Sequence, residues 1–193
     1  MQNPTEQYLV NQVWRLRDQL SFEELYRRYY DKIHTFIMFR IRSKEEADDL
    51  TSQVFLSAWE YLTKAKADEI RNFRAFLYRV ARNLISNVYR KQGRTPVVVT
   101  LDDEDDSIEI EDQRPSPFLE QLNASDWETF TKAFHAIKDE YKEILALRFL
   151  EGMEIGEIAK IMDKEPGNIR VLIHRALKAL KRTAIQQQNQ PNL

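Results

Sequence analysis

Apolar positions along this chain recur at steps of three and four residues, which gathers them on one face of an α-helix. Phe22, Leu25, Tyr26, Tyr29, Ile33, Phe36 and Ile37 predict one such helix. Ser21 stands where an N-cap belongs, with Glu24 three residues on completing a capping box. A shorter helix over Tyr8–Gln19 precedes it, with Val10, Val13, Trp14 and Arg17 on a narrow stripe. A third starts near Lys44 and aligns Ala47, Leu50, Val54, Ala58 and Leu62. A fourth starts near Asn72 and aligns Phe73, Phe76, Leu77, Val80, Ala81, Leu84 and Val88. Together these predict a helical bundle over residues 1–94.

The pattern resumes after a break. From a cap at Ser125, Trp127, Phe130, Phe134 and Ile137 form one stripe, and Tyr141, Ile144, Leu145 and Phe149 the next. Glu154–Met162 is a helix of little more than two turns. Asp163-Lys164-Glu165 reads as a tight turn, and Pro166 suits the first position of a new helix. That last helix directs Ile169, Leu172, Ile173, Ala176, Leu177 and Leu180 inward, and Ala159 sits where it crosses the short helix closely. A short helix, a three-residue turn and a basic second helix make the helix-turn-helix pattern, here within residues 125–185. The tail, 186–193, is polar and reads as disordered.

Composition sharpens this to an all-α chain of two small helical domains joined by an acidic linker. Four glycines in 193 residues are too few for phosphate-cradling loops or a Rossmann fold. The absence of cysteine excludes disulfides and thiolate chemistry. His34, His135 and His174 fall on different helices without metal-ligand spacing. No apolar run approaches the roughly 18 residues a membrane span needs, and the first residues lack a secretory pattern. The expectation is a cytoplasmic protein that is not an enzyme and takes no metal, cofactor or small-molecule substrate.

Charge is segregated. The formal total is −2, yet residues 95–124 hold nine acids against Arg114 alone, a net of −8 that leaves +6 on the rest. That segment also carries Pro96, Pro115 and Pro117 and reads as a linker. Two stretches contain no acid. One runs from Arg71 to Thr100 with Arg71, Arg74, Arg79, Arg82, Arg90, Lys91 and Arg94. The other runs from Pro166 onward with Arg170, Arg175, Lys178, Lys181 and Arg182. One basic stretch could be a solvated helix face; one in each half points to a polyanion partner.

The residues that carry the argument further are Phe22-Glu23-Glu24-Leu25-Tyr26-Arg27-Arg28-Tyr29, Glu46-Ala47-Asp48-Asp49-Leu50 through Phe55-Leu56-Ser57-Ala58-Trp59, and Phe76-Leu77-Tyr78-Arg79-Val80-Ala81-Arg82-Asn83. Beyond the linker come Leu147-Arg148-Phe149-Leu150-Glu151-Gly152, Glu157-Ile158-Ala159 and His174-Arg175-Ala176-Leu177. In this order and spacing, from about Tyr8 to Arg182, they resemble the sigma-70 family of bacterial sigma factors, in its two-domain extracytoplasmic-function group.

The resemblance implies a factor that joins core RNA polymerase, directs it to promoters and helps open the duplex, with an anti-sigma factor as a further partner. It implies −35 recognition by Asn168, Arg170, Val171, His174, Arg175, Lys178 and Arg182 on the last helix. It implies −10 single-strand contacts by Arg74, Arg79, Arg82, Asn83, Asn87, Arg90 and Lys91 on the fourth, with Phe73, Tyr78 and Tyr89 interleaved. Phe76, by contrast, reads as core. A loop at about Lys64–Arg71 would receive a flipped base, and Asp49, Leu50, Ser52, Gln53 and Leu56 would dock on polymerase. The linker would thread the polymerase cleft. Ser52-Gln53, Asn87, Phe76, Lys164, Glu165, Val171 and Leu172 depart from the residues usual in the family. Rival readings are a helix-turn-helix regulator acting without polymerase and a sigma mimic that sequesters an anti-sigma factor.

Overall fold

A computed structural model describes residues 4–41, 43–64, 70, 72–91 and 124–188, with side chains withheld for 124–129 and 187–188. Every regular element among the described residues is helical. The chain divides into two compact units, 1–94 and 95–193. The acidic segment and most of the loop at 64–71 lie outside the described residues, as do Ser125 and Trp127 as side chains.

The first unit packs α1 (Glu6–Leu16), α2 (Gln19–Met38), α3 (Lys44–Lys64) and α4 (Phe73–Lys91). Leu25, Ile33, Phe36 and Ile37 of α2 meet Ala47, Leu50, Val54, Ala58 and Leu62 of α3 and Phe73, Leu77, Ala81 and Ile85 of α4 in one core. Leu9, Val10 and Val13 seal α1 against it. The α1–α2 junction differs from the sequence expectation. α1 stops at Leu16 because Arg17 turns into the left-handed region, φ 52°. α2 then starts at Gln19, capped by the Asp18 carboxylate, which accepts from the Ser21 backbone N–H at 3.0 Å. Ser21 itself is buried in the first turn, and Glu24 pairs with Arg27 and Arg28 instead of closing a capping box. An aspartate is as good a cap as a serine, and the earlier one wins here because it lets α2 begin directly at the corner.

The second unit contains α5 (Ala124–Ala136), α6 (Asp139–Leu145), a π-helical turn over Ala146–Leu150, α7 (Ile155–Met162) and α8 (Pro166–Gln188). The wide turn brings the Arg148 side chain inside, where it donates to the Met153 carbonyl at 2.9 Å and so fixes the chain just before α7. Gly152 supplies the left-handed conformation that this reversal needs, φ 61°. A reciprocal box between Glu154 and Glu157 caps α7. The turn into α8 runs through Asp163, also left-handed at φ 55°, and its Lys164 pairs with Glu140 of α6 at 3.1 Å. Ala159 is buried, as close helix crossing requires, and Ile169, Leu172, Ile173 and Ala176 face inward. Leu177 does not: it is 42% exposed, one step past the edge of the buried stripe. α8 also runs to Gln188, three residues into the segment read as a disordered tail.

Candidate nucleic-acid interface

On α8, the side chains opposite the buried stripe are Asn168, Arg170, Val171, Lys178 and Arg182, all exposed, with His174 and Arg175 half-buried beside them. At 100° per residue they span about 160° of the helix, so the side opposite the buried stripe carries all the −35 candidates. The first of them stand at the N-terminal end of α8, directly after the turn. That is the end by which a recognition helix enters the major groove. Leu172, one of the departures from the family pattern, is buried.

On α4 the arrangement is similar in polarity and different in aromatic content. Arg79, Asn83, Asn87, Arg90 and Lys91 are exposed, and Arg74 and Arg82 half-buried. Arg90 donates to the Asn87 side-chain oxygen. The aromatic residues expected among these bases are instead structural. Phe73 and Tyr78 are fully buried, and Tyr78 meets Phe36 edge-on at 5.1 Å. Tyr89 is buried with its hydroxyl donating to the Arg40 carbonyl. The aromatic that does lie on the polar stripe is Phe76, half-buried and 4.9 Å from the Tyr61 ring of α3. Phe76, Arg79, Asn83, Asn87 and Arg90 share one face. That spacing was present in the sequence, whereas the part played by Tyr61 is visible only once α3 and α4 are packed.

α3 turns a different face outward. Asp49, Ser52, Gln53 and Leu56 are exposed, Leu56 at 58%. Leu50 is only 4% exposed and belongs to the core, so the expected docking face loses that member. The acids at the start of α3 follow the helix end they occupy. Ser43 accepts from the Glu46 N–H at 3.2 Å. Glu45 is held below the usual carboxylate range by its own backbone N–H first and by Ser43 second. Asp48 bonds His34 at 2.7 Å, and that imidazole stacks on Tyr30. Among the described residues no cluster of three acids or histidines is placed to hold a metal ion, and no helix is long and apolar enough to cross a membrane.

Two family models match this chain, Sigma-70 region 2 over residues 25–95 and Sigma-70, region 4 over residues 128–180. The chain belongs to the sigma-70 family, in its extracytoplasmic-function group. It is similar to the ECF RNA polymerase sigma factor BldN of Streptomyces coelicolor, 32% identical over 84% of this chain and 60% of that protein. It is also similar to the ECF RNA polymerase sigma-E factor of Escherichia coli, 28% identical over 91% of this chain and 92% of that one. A solved structure with a like fold is the sigma factor RpoE of Bartonella quintana in complex with the anti-sigma factor NepR. It has a TM-score of 0.62 and 21% identity, covering 84% of this chain and 95% of that one. Family membership makes this chain a sigma factor that directs RNA polymerase to promoters.

Proposed function

We propose that the two units divide promoter recognition between them. α3 docks on core polymerase through Asp49, Ser52, Gln53 and Leu56. α4 holds the unpaired −10 strand, with Arg79, Asn83, Asn87, Arg90 and Lys91 along its backbone and the Tyr61–Phe76 pair offering stacking surface. The face of α8 reads the −35 duplex. A strand that has lost its partner needs cations for phosphates and rings for bases, and α4 with α3 supplies both. A duplex needs a helix end with side chains that reach base edges, and α8 supplies Asn168, Arg170 and Arg175. The observation that carries this reading is that each unit turns one acid-free basic helix face to solvent. Residues 1–94 are the −10 domain in this scheme, 125–185 the −35 domain and 95–124 the tether that follows the polymerase cleft. By analogy with the Bartonella complex, an anti-sigma factor is a further partner. The work is done in the cytoplasm, where polymerase and template meet, and no step makes or breaks a covalent bond in the factor itself.

Run-off transcription with core RNA polymerase on a genomic promoter library tests this. Discrete starts that depend on the chain are expected. Arg175→Ala should reduce them by about 5- to 150-fold, the range of one lost bidentate contact to guanine. Binding to core without starts would favour a mimic, and a duplex footprint without core binding would favour a free-standing regulator.

A further inference from the structure

α8 carries an apolar side chain on the side turned away from its core. Val171 is the sixth residue of the helix and is 48% exposed. At 100° per residue it stands about 150° round the helix from the middle of the stripe that Ile169, Leu172, Ile173 and Ala176 bury. Leu177 is exposed at the edge of that stripe, whereas Val171 lies on the far side of the helix from it. Its neighbours there are polar. Asn168 comes one turn before it, His174 and Arg175 one turn after and Lys178 two turns after, with Arg170 beside it. The valine is a single apolar knob among amide, imidazole and cationic groups, near the end of α8 by which a recognition helix enters the major groove.

Local chemistry sets the direction of this knob. A β-branched side chain in a helix is held almost entirely in one χ1 rotamer. Its two methyl groups therefore point one way and lose little freedom when something covers them. At an exposed helix position valine is also a poorer helix former than alanine, arginine or lysine, so helix stability does not call for it there. A DNA duplex offers such a knob one match. Along the major groove guanine, cytosine and adenine present donors and acceptors, and thymine alone presents an apolar group, its C5-methyl, beside its O4 acceptor. Valine laid over a polar base edge strips water from groups that it cannot pair. Valine laid over the thymine methyl takes apolar surface on both partners out of water.

We infer that Val171 is a specificity-determining residue for the −35 element: its methyl groups pack on the C5-methyl of one thymine and so select that base. This rests on the assignment of α8 to the −35 duplex. The cations around Val171 hold the helix to phosphate and to neighbouring bases, and Val171 itself makes no hydrogen bond to DNA in this scheme.

The test uses holoenzyme reconstituted with core polymerase and a fluorescent duplex of a promoter mapped by run-off, its −10 element left unchanged. Each thymine of the −35 element, on either strand, is replaced in turn by deoxyuridine, which pairs identically and lacks only the C5-methyl. Affinity is measured for wild type and for Val171→Ala, a change at an exposed position that should leave the melting temperature unchanged. With wild type, deoxyuridine at one position should weaken binding about three- to fivefold, the scale of one methyl group withdrawn from contact. Val171→Ala should weaken binding to the unmodified promoter by a similar factor. In that variant the same deoxyuridine should have no further effect, because the contact is already gone. Deoxyuridine at the other thymines should act equally on both chains. Identical deoxyuridine profiles for the two chains would overturn the inference. So would a wild type that tolerates deoxyuridine at every −35 thymine while still distinguishing this element from a scrambled one, or a Val171→Ala chain that melts well below wild type. A wild-type holoenzyme that starts transcription from the −10 element yet treats the −35 element and a scrambled sequence alike would instead overturn the assignment of α8.

Discussion

At the scale of single residues, this chain uses carboxylates to end and begin helices, and Asp18 is the one whose effect can be isolated. Its carboxyl is held below its ordinary value of 3.8 by hydrogen bonds from Ser21, the side chain first and the backbone N–H next. A carboxyl with a lowered folded-state pKa stabilises the fold fully above its unfolded value, and the contribution is lost as pH falls through the folded one. Asp18→Ala should therefore lower the melting temperature at neutral pH, and the gap to wild type should close as pH is taken below 3.8. Ser21→Ala keeps the backbone donor and should cost less. A larger loss for Ser21→Ala, or a gap that widens in acid, would show that the cap is elsewhere. The sequence held two acceptable caps three residues apart, Asp18 and Ser21. What separates them is the left-handed Arg17, whose conformation follows from the α1–α2 corner and has no signature in composition.

At the scale of the element, periodicity located the helices well and their exact rotation less well. In α3 every residue of the expected stripe is buried. In α4, Phe73, Leu77 and Ala81 of the expected stripe are buried, whereas Phe76, Val80, Leu84 and Val88 are half-buried and Tyr78, Ile85 and Tyr89 take the inward places. α4 has apolar residues on more than one side, and packing against α3, α2 and α1 chooses between the sides. Leu50 came to the docking face from the family resemblance, although the periodicity of α3 already set it on the inward stripe, where it is buried. The two faces of α3 can now be separated by experiment. Leu50→Ala should destabilise the chain by about 2–5 kcal/mol, the cost of emptying a packed core site. It should leave the core-polymerase affinity of the folded fraction unchanged. Leu56→Asp should alter stability by no more than about 0.5 kcal/mol, as for an exposed position, and weaken core binding about tenfold or more if Leu56 anchors the interface. Denaturant titration and polymerase-binding titration read the two quantities. Full core binding by a folded Leu56→Asp chain would remove α3 from the docking surface.

At the scale of the whole molecule, the arrangement of charge matters more than its sum. A total of −2 conceals two basic helix faces and a segment of net −8 covalently attached to both units. A tethered polyanion is present at high effective concentration whatever the concentration of DNA outside. Electrostatics alone predicts that it competes for the cations that would otherwise meet phosphate and carries part of the counterion exchange itself. If Arg170, Arg175 and Lys178 each neutralise one phosphate, the logarithmic salt slope from α8 alone is about −0.9 per contact, or roughly −2.7. On that expectation the free wild-type chain should show a shallower slope on duplex DNA. Converting Asp102, Asp103, Glu104, Asp105 and Asp106 to their amides takes the segment from −8 to −3 and the chain from −2 to +3. That variant should bind nonspecific duplex more tightly at about 50 mM salt, where screening is weak. Its slope should steepen toward the three-contact value. The two chains should converge as salt rises, since both the competition and the attraction are electrostatic. Fluorescence anisotropy with a labelled random-sequence duplex across a salt series measures this directly. Parallel slopes with no gain in low-salt affinity would mean that the tether does not oppose DNA binding.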